Sequence, residues 1–136
     1  MKGLIVILVL FASSQVLGQL SSAQLDSIQP TEEFENIHVQ KLASDSLQST
    51  FVIWVKKRVK NHYHAEHTEN LYVIDGSATM TMADSTFTIR KGDYLNIPMG
   101  AQHSVVSVDS QCALKVLSIQ SPEFDGNDRI FVKEED

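Results

Sequence analysis

Apolar and polar positions along this chain fall into short runs, and beyond the N-terminal stretch none of them sustains a helical period. Residues 51–55 are apolar and β-branched or aromatic at almost every position. A second run, 71–74, is closed by Asp75-Gly76, a strong turn signal. Runs at 78–82 and 87–89 follow, separated by the turn-like Ala83-Asp84-Ser85, and Lys91-Gly92-Asp93 turns the chain again ahead of 94–97. Two further runs, 104–108 and 113–119, flank Asp109-Ser110-Gln111. Short strands at regular spacing with turn chemistry between them predict an all-β sandwich or barrel. Residues 122–128, rich in Asp, Gly and Asn, read as a surface loop before a last strand at 129–132.

Length and charge narrow the picture. A chain of 136 residues suffices for one domain, and 43% apolar residues are enough for a buried core. The net charge of −6 argues against a nucleic-acid binder, which would carry a basic face. The N-terminus reads as a secretory signal: Lys2 supplies the positive start, 4–11 an unbroken apolar run, and 12–18 small or weakly polar residues. Cleavage is expected ahead of Gln19 or, at a second small-residue site, ahead of Gln24. The apolar run is too short for a membrane anchor, which needs roughly 20 apolar residues. The expected organisation is a signal peptide at 1–18, a polar arm of low intrinsic order at 19–35, and a barrel domain at 36–136. Export places the protein outside the cell or in a periplasm. The single cysteine, Cys112, excludes an intramolecular disulfide and reads as a small buried hydrophobe.

Candidate chemistry gathers at the histidines. His62 and His64 stand two apart, so in a strand they project from one face. The next four residues can turn the chain, Glu69 opens the following strand, and His103 starts another one far along the sequence. Imidazole nitrogens and a carboxylate converging on one point make a first-row transition-metal site, and four protein ligands leave one or two positions open. His67 lies in the predicted turn, where solvent exposure is the simpler account. His38 reads as a plain strand residue. Lys56, Arg58 and Lys60 share the parity of the histidine pair, but a bulge or a solvated edge explains them more simply than three cations inside a barrel. Trp54, Tyr72 and Tyr94 read as core or interface residues.

The spacing of these residues resembles a known family. His62-x-His64, four residues, Glu69, six residues and Gly76 is similar to the first signature of the cupin superfamily. Gly92, five residues, Pro98-x-Gly100, two residues and His103 is similar to its second. Two positions depart from the pattern: Lys56 stands where a glycine is frequent and Ser107 where an asparagine is frequent, neither being a ligand. Glu66 misses the spacing that Glu69 satisfies. The resemblance implies a small cupin double-stranded β-helix, a jelly-roll barrel. One divalent transition metal (Fe, Mn, Ni, Cu, Co or Zn) would be held inside its mouth by His62, His64, Glu69 and His103.

It implies equally a metal-dependent enzyme of dioxygenase, isomerase or lyase type acting on a small organic molecule, with Glu69 as a general base. The alternatives are a non-catalytic module that binds a small ligand, sugar or metal, and a metal with a purely structural role. A homodimer is also implied by the resemblance, through the segment 37–42 or the run 51–55. No nucleic acid and no stable membrane anchor are expected.

Overall fold

The computed structural model describes residues 22–109 and 111–133, so the expected signal peptide at 1–18 lies outside the described residues. Ten strands follow in order: β1 Ile37–Ser44, β2 Ser49–Val55, β3 Val59–Tyr63, β4 Thr68–Asp75, β5 Ser77–Met82, β6 Ser85–Arg90, β7 Tyr94–Ile97, β8 His103–Val108, β9 Leu114–Ser121 and β10 Ile130–Phe131. They form two five-stranded antiparallel sheets, ordered β1-β2-β9-β4-β7 and β10-β3-β8-β5-β6. This is the all-β architecture that the turn-punctuated runs predict, in the double-sheet barrel form that the resemblance implies. Among the described residues no helix is long and apolar enough to cross a membrane.

The main core lies between the sheets. Val55, Leu71, Val73, Leu114 and Val116 from one sheet meet Ala78, Met80, Ile89 and Val105 from the other. Burying an aliphatic side chain of this size stabilises by roughly 1.5–3 kcal/mol, so this layer dominates the fold. A second cluster, Val52, Trp54 and Ile74, lies on the outer face of the first sheet. Strand β2 is therefore buried on both faces, Ile53 and Val55 inward, Val52 and Trp54 outward. That explains its unbroken apolar run, since a strand covered on both sides has no polar face to alternate with.

What covers the outer cluster is the segment expected to be of low order. Residues 22–36 form no strand, but Leu25, Ile28 and Phe34 pack on Val52, Trp54 and Ile74. Lys115, an apparent misfit in the apolar run 113–119, points outward to meet them. Its ammonium donates to the carbonyls of Leu25 at 2.5 Å, Ile28 at 2.7 Å and Asp26 at 3.3 Å. Burial lowers the pKa of that ammonium, against the opposing pull of Asp26 and Asp75. His38, buried on the same face, adds a contact at 3.2 Å to Thr31 and packs against Trp54. The expected result of Lys115→Met, which keeps the stem and deletes the donors, is a stability loss of about 1–3 kcal/mol. Limited proteolysis should then cut near residues 24–31, and unchanged protection there would show that the arm is held by its apolar contacts alone.

Three sequence expectations change. Cys112 is exposed rather than buried, because β9 starts only at Leu114 and leaves it in the preceding loop. The loop 122–128 is not merely a surface connection: Phe124 is buried edge-on against Phe51 and the segment lies over one end of the barrel. The interface expectation narrows as well. Strand β2 is enclosed between β1 and β9, so its backbone is already paired on both sides.

Candidate metal centre

Polar residues replace aliphatic ones at one end of the barrel interior. Along β9 the inward positions read Leu114, Val116, Ser118 and Gln120, and along β4 they read Val73, Leu71 and Glu69. Opposite them, His62 of β3 pairs directly with His103 of β8, their ring centroids 4.2 Å apart. His64 follows just past the end of β3, its ring 5.4 Å from that of His103. The turn 98–100 sets this register. Gly100, in the left-handed region at φ +78°, donates its N–H to the His64 carbonyl at 2.7 Å. His103 is thereby brought level with the histidine pair.

The hydrogen bonds determine which nitrogen each ring presents. Nδ1–H of His62 donates to the Lys60 carbonyl at 2.8 Å and that of His103 to the Ala101 carbonyl at 3.0 Å, while His64 donates to the Asp128 carbonyl. A carbonyl only accepts, so each Nδ1 carries a proton and each neutral ring turns an unprotonated Nε2 inward. One ring nitrogen from each of the three histidines lies within 4.8 Å of the others. Glu69 presents Oε2 at 3.6 Å from His64 Nε2 and 3.4 Å from His103 Nε2, while Oε1 accepts from Ser118 Oγ at 2.5 Å and Gln120 Nε2 at 3.2 Å.

These groups are buried, and among the described residues His64 Nε2 and His103 Nε2 have no hydrogen-bond partner. Lone pairs facing a carboxylate are reconciled by a cation between them, either a proton or a metal ion. Burial opposes a proton on His64, yet Glu69 and the Asp128 carbonyl outweigh it and raise its pKa. His62 goes the other way, lowered to about 4 by burial and by His103. Burial opposes ionisation of Glu69, but His103, His64 and Ser118 hold its pKa well below the usual carboxylate range. Three imidazole nitrogens and a carboxylate oxygen, two of them orphaned and already facing one another, are the donor set a divalent transition metal takes.

His67 takes another part. It is buried, not solvent-exposed as its place in a turn suggested. Its Nδ1 meets the Asp128 carboxylate at 2.5 Å and its Nε2 the Glu123 carbonyl at 2.8 Å. Both nitrogens face acceptors, so the ring is an imidazolium with no lone pair for a metal. Its pKa is raised, burial being outweighed by Asp128 and the Glu123 carbonyl. Asp128 also accepts from the N–H groups of Ala65 and Glu66, each at 2.8 Å. One residue thus clasps the loop between the histidine pair and Glu69, while its own carbonyl orients His64. Asp128→Asn is expected to loosen this clasp by about 2 kcal/mol and weaken metal binding about tenfold. Amide exchange over 122–131 and a metal titration check the two effects, and unchanged values would reduce Asp128 to a surface acid.

Glu66, the competitor that misses the spacing Glu69 satisfies, is exposed. Lys56, Arg58 and Lys60 are exposed too, since a turn separates β2 from β3 and the ladder shifts between Val59 and His62. Trp54 is a core residue, whereas Tyr72 and Tyr94 lie largely open on the sheet's outer face. Sequence reasoning missed Ser118, Gln120, Phe124 and Asp128. Only the first two left a signal, as polar residues at inward parity of an apolar strand.

Comparison with known proteins follows the same outline. A family model described as a cupin domain matches residues 49–120. An uncharacterized protein of Aquifex aeolicus is 32% identical over 99 residues, covering 73% of this chain and 80% of its own length. Quercetin 2,3-dioxygenase of Bacillus subtilis is 36% identical over 47 residues, which are 35% of this chain and only 14% of that enzyme. Among solved structures, a conserved protein with a double-stranded β-helix domain from Klebsiella pneumoniae superposes with a TM-score of 0.70 at 13% identity, over 85% of this chain and all of its own.

Proposed function

This chain belongs to the cupin family, and from that premise we propose that it is a small exported metal-dependent enzyme acting on a small organic molecule. The observation that carries the reading is the set of three histidines whose Nδ1–H groups are all spent on backbone carbonyls, aiming three Nε2 atoms toward Glu69. His62, His64 and His103 through Nε2, and Glu69 through Oε2, would hold the ion. A divalent transition metal bound there supplies Lewis-acid or redox chemistry. The chain's own residues do the rest. The carbonyls of Lys60, Ala101 and Asp128 hold the rings in one tautomer, and Ser118 with Gln120 holds Glu69 by one oxygen. On loosening from the ion, the other oxygen, Oε2, which neither Ser118 nor Gln120 engages, would take a proton from a substrate.

The cavity bounds the substrate. It measures about 70 Å³, and apart from the four candidate ligands, Ser104 and Arg129 its lining is apolar, with side chains such as Ile53, Leu71, Met80 and Val116. Drug-sized ligands occupy roughly 300–1,000 Å³, so a short substrate fits and a large one requires the segment 122–131 to move. The likeness to quercetin 2,3-dioxygenase supports oxygenation as the first reaction type to test, ahead of isomerisation and elimination. A non-catalytic binding module is the second reading, favoured by Glu69 being the one carboxylate among the described residues that line the cavity.

Elemental analysis of natively purified protein, followed by turnover assays with the metal found, tests the proposal. A metal-loaded protein that binds a small ligand saturably and converts none would leave the binding module. For export, N-terminal sequencing of the mature protein is expected to begin at Gln19 or Gln24. A homodimer remains part of this reading, with the outer edge of β1 as its place, and its check is the solution mass.

A further inference from the structure

We infer that Arg129 makes this site select a short carboxylic acid, by pairing with the carboxylate while a neighbouring oxygen of the ligand reaches the histidine end. The inference deepens the metal-centre reading and rests on it only for that second oxygen. Strand β10 pairs with β3 in the register Ile130 opposite Tyr63 and Phe131 opposite His62. Continued one step beyond the paired residues, that register would set Arg129 opposite His64. Directly opposed residues of an antiparallel pair project from the same face, so Arg129 belongs to the inner face with the histidines. It lines the same cavity as His62, His64, Glu69 and His103.

Among the described residues no acid offsets the charge of Arg129. Its guanidinium lies over the ring of Phe124, 5.9 Å from the centroid, and Phe124 is itself packed edge-on against His64 and His67. Glu69, the one acid among the described residues that line the cavity, is committed to Ser118 and Gln120 on one side and faces the histidines on the other. A planar fork of donors, half-buried beside aliphatic walls and without a counter-charge, is matched by a carboxylate, which it can grip through two parallel bonds. The volume of about 70 Å³ keeps that acid short.

The probes are pyruvate and its neutral isostere pyruvamide, titrated by ligand-observed NMR into the full mature chain loaded with diamagnetic Zn²⁺, and into the metal-free protein. Pyruvate is expected to bind at least about tenfold more tightly than pyruvamide; Arg129→Gln should lower pyruvate affinity about tenfold and pyruvamide affinity less than about twofold, with Arg129→Lys between. Elemental analysis should find the same zinc in R129Q as in the parent. Undetectable pyruvate binding at millimolar concentration overturns the inference, as does an unchanged pyruvate affinity in R129Q. Equal losses for both probes would make Arg129 a merely structural residue, and inorganic phosphate binding more tightly than pyruvate would overturn the carboxylate assignment. A parent protein that takes up no zinc, yet distinguishes the probes through Arg129, would sink the metal-centre reading and support this one.

Discussion

Replacing His103 with alanine is expected to lower the affinity for a divalent transition metal by about two to three orders of magnitude while the barrel still folds. Apparent binding energies of four-ligand zinc sites are about 10–16 kcal/mol, so one ligand in four carries about 3–4 kcal/mol. The fold loses less. The ring gives up one hydrogen bond to the Ala101 carbonyl and its packing on His62, at the very start of β8. That is worth about 1–2 kcal/mol. His62→Ala should behave alike, because the two residues are direct partners across the β3–β8 ladder. Metal content by mass spectrometry and melting with and without added metal give the two readouts. Metal bound at 1,000 times its Kd adds about 4 kcal/mol to the parent protein's stability, an increment the variants should lack. Unaltered metal content in both variants would remove the central claim.

Glu69→Gln is the second large effect, and its interest lies in what it leaves alone. Glutamine has the same shape, so its side-chain oxygen can accept from Ser118 and Gln120 as the carboxylate Oε1 does. Its amide then replaces Oε2 and can donate to His64 Nε2 or His103 Nε2, both buried and without a partner. Metal-free E69Q should therefore stay within about 1 kcal/mol of the parent. The negative charge is nevertheless gone and Nε2 of the amide is no ligand. Metal affinity is expected to fall about a hundredfold, and kcat on whatever substrate the assays identify by about 10²–10⁴-fold. Glu69→Ala separates the two roles differently: it strands Ser118 and Gln120 and should cost about 2–3 kcal/mol of stability. Parent-like metal binding and turnover in E69Q would take Glu69 out of the site.

Much of this was legible in the sequence, for identifiable reasons. Strand parity and turn chemistry are local properties, so the short runs, Asp75-Gly76 and Lys91-Gly92-Asp93 were enough to read an all-β sandwich or barrel, and the resemblance of the histidine motifs chose the barrel. His62 and His64 two apart, Glu69 opening β4 and His103 opening β8 were legible as candidates that could converge, and the structure brings the four together. What parity cannot register is covering by segments remote along the chain. His67 looked exposed because its neighbours form a turn, yet Asp128, far along the chain, buries it and holds it as a cation. Lys115 looked like an interruption of a strand, and only docking of residues 22–36 explains it as a clamp. Arg129 had no distinguishing signal at all, since its place over the site follows from the β10–β3 register. The sequence by itself determined which side chains share a strand face, because that depends on neighbours one or two residues away. The tertiary structure alone decided which nitrogen of each histidine is free, what shields the site and where the unpaired arginine stands. Those properties belong to hydrogen bonds and packing between segments that only folding brings into contact.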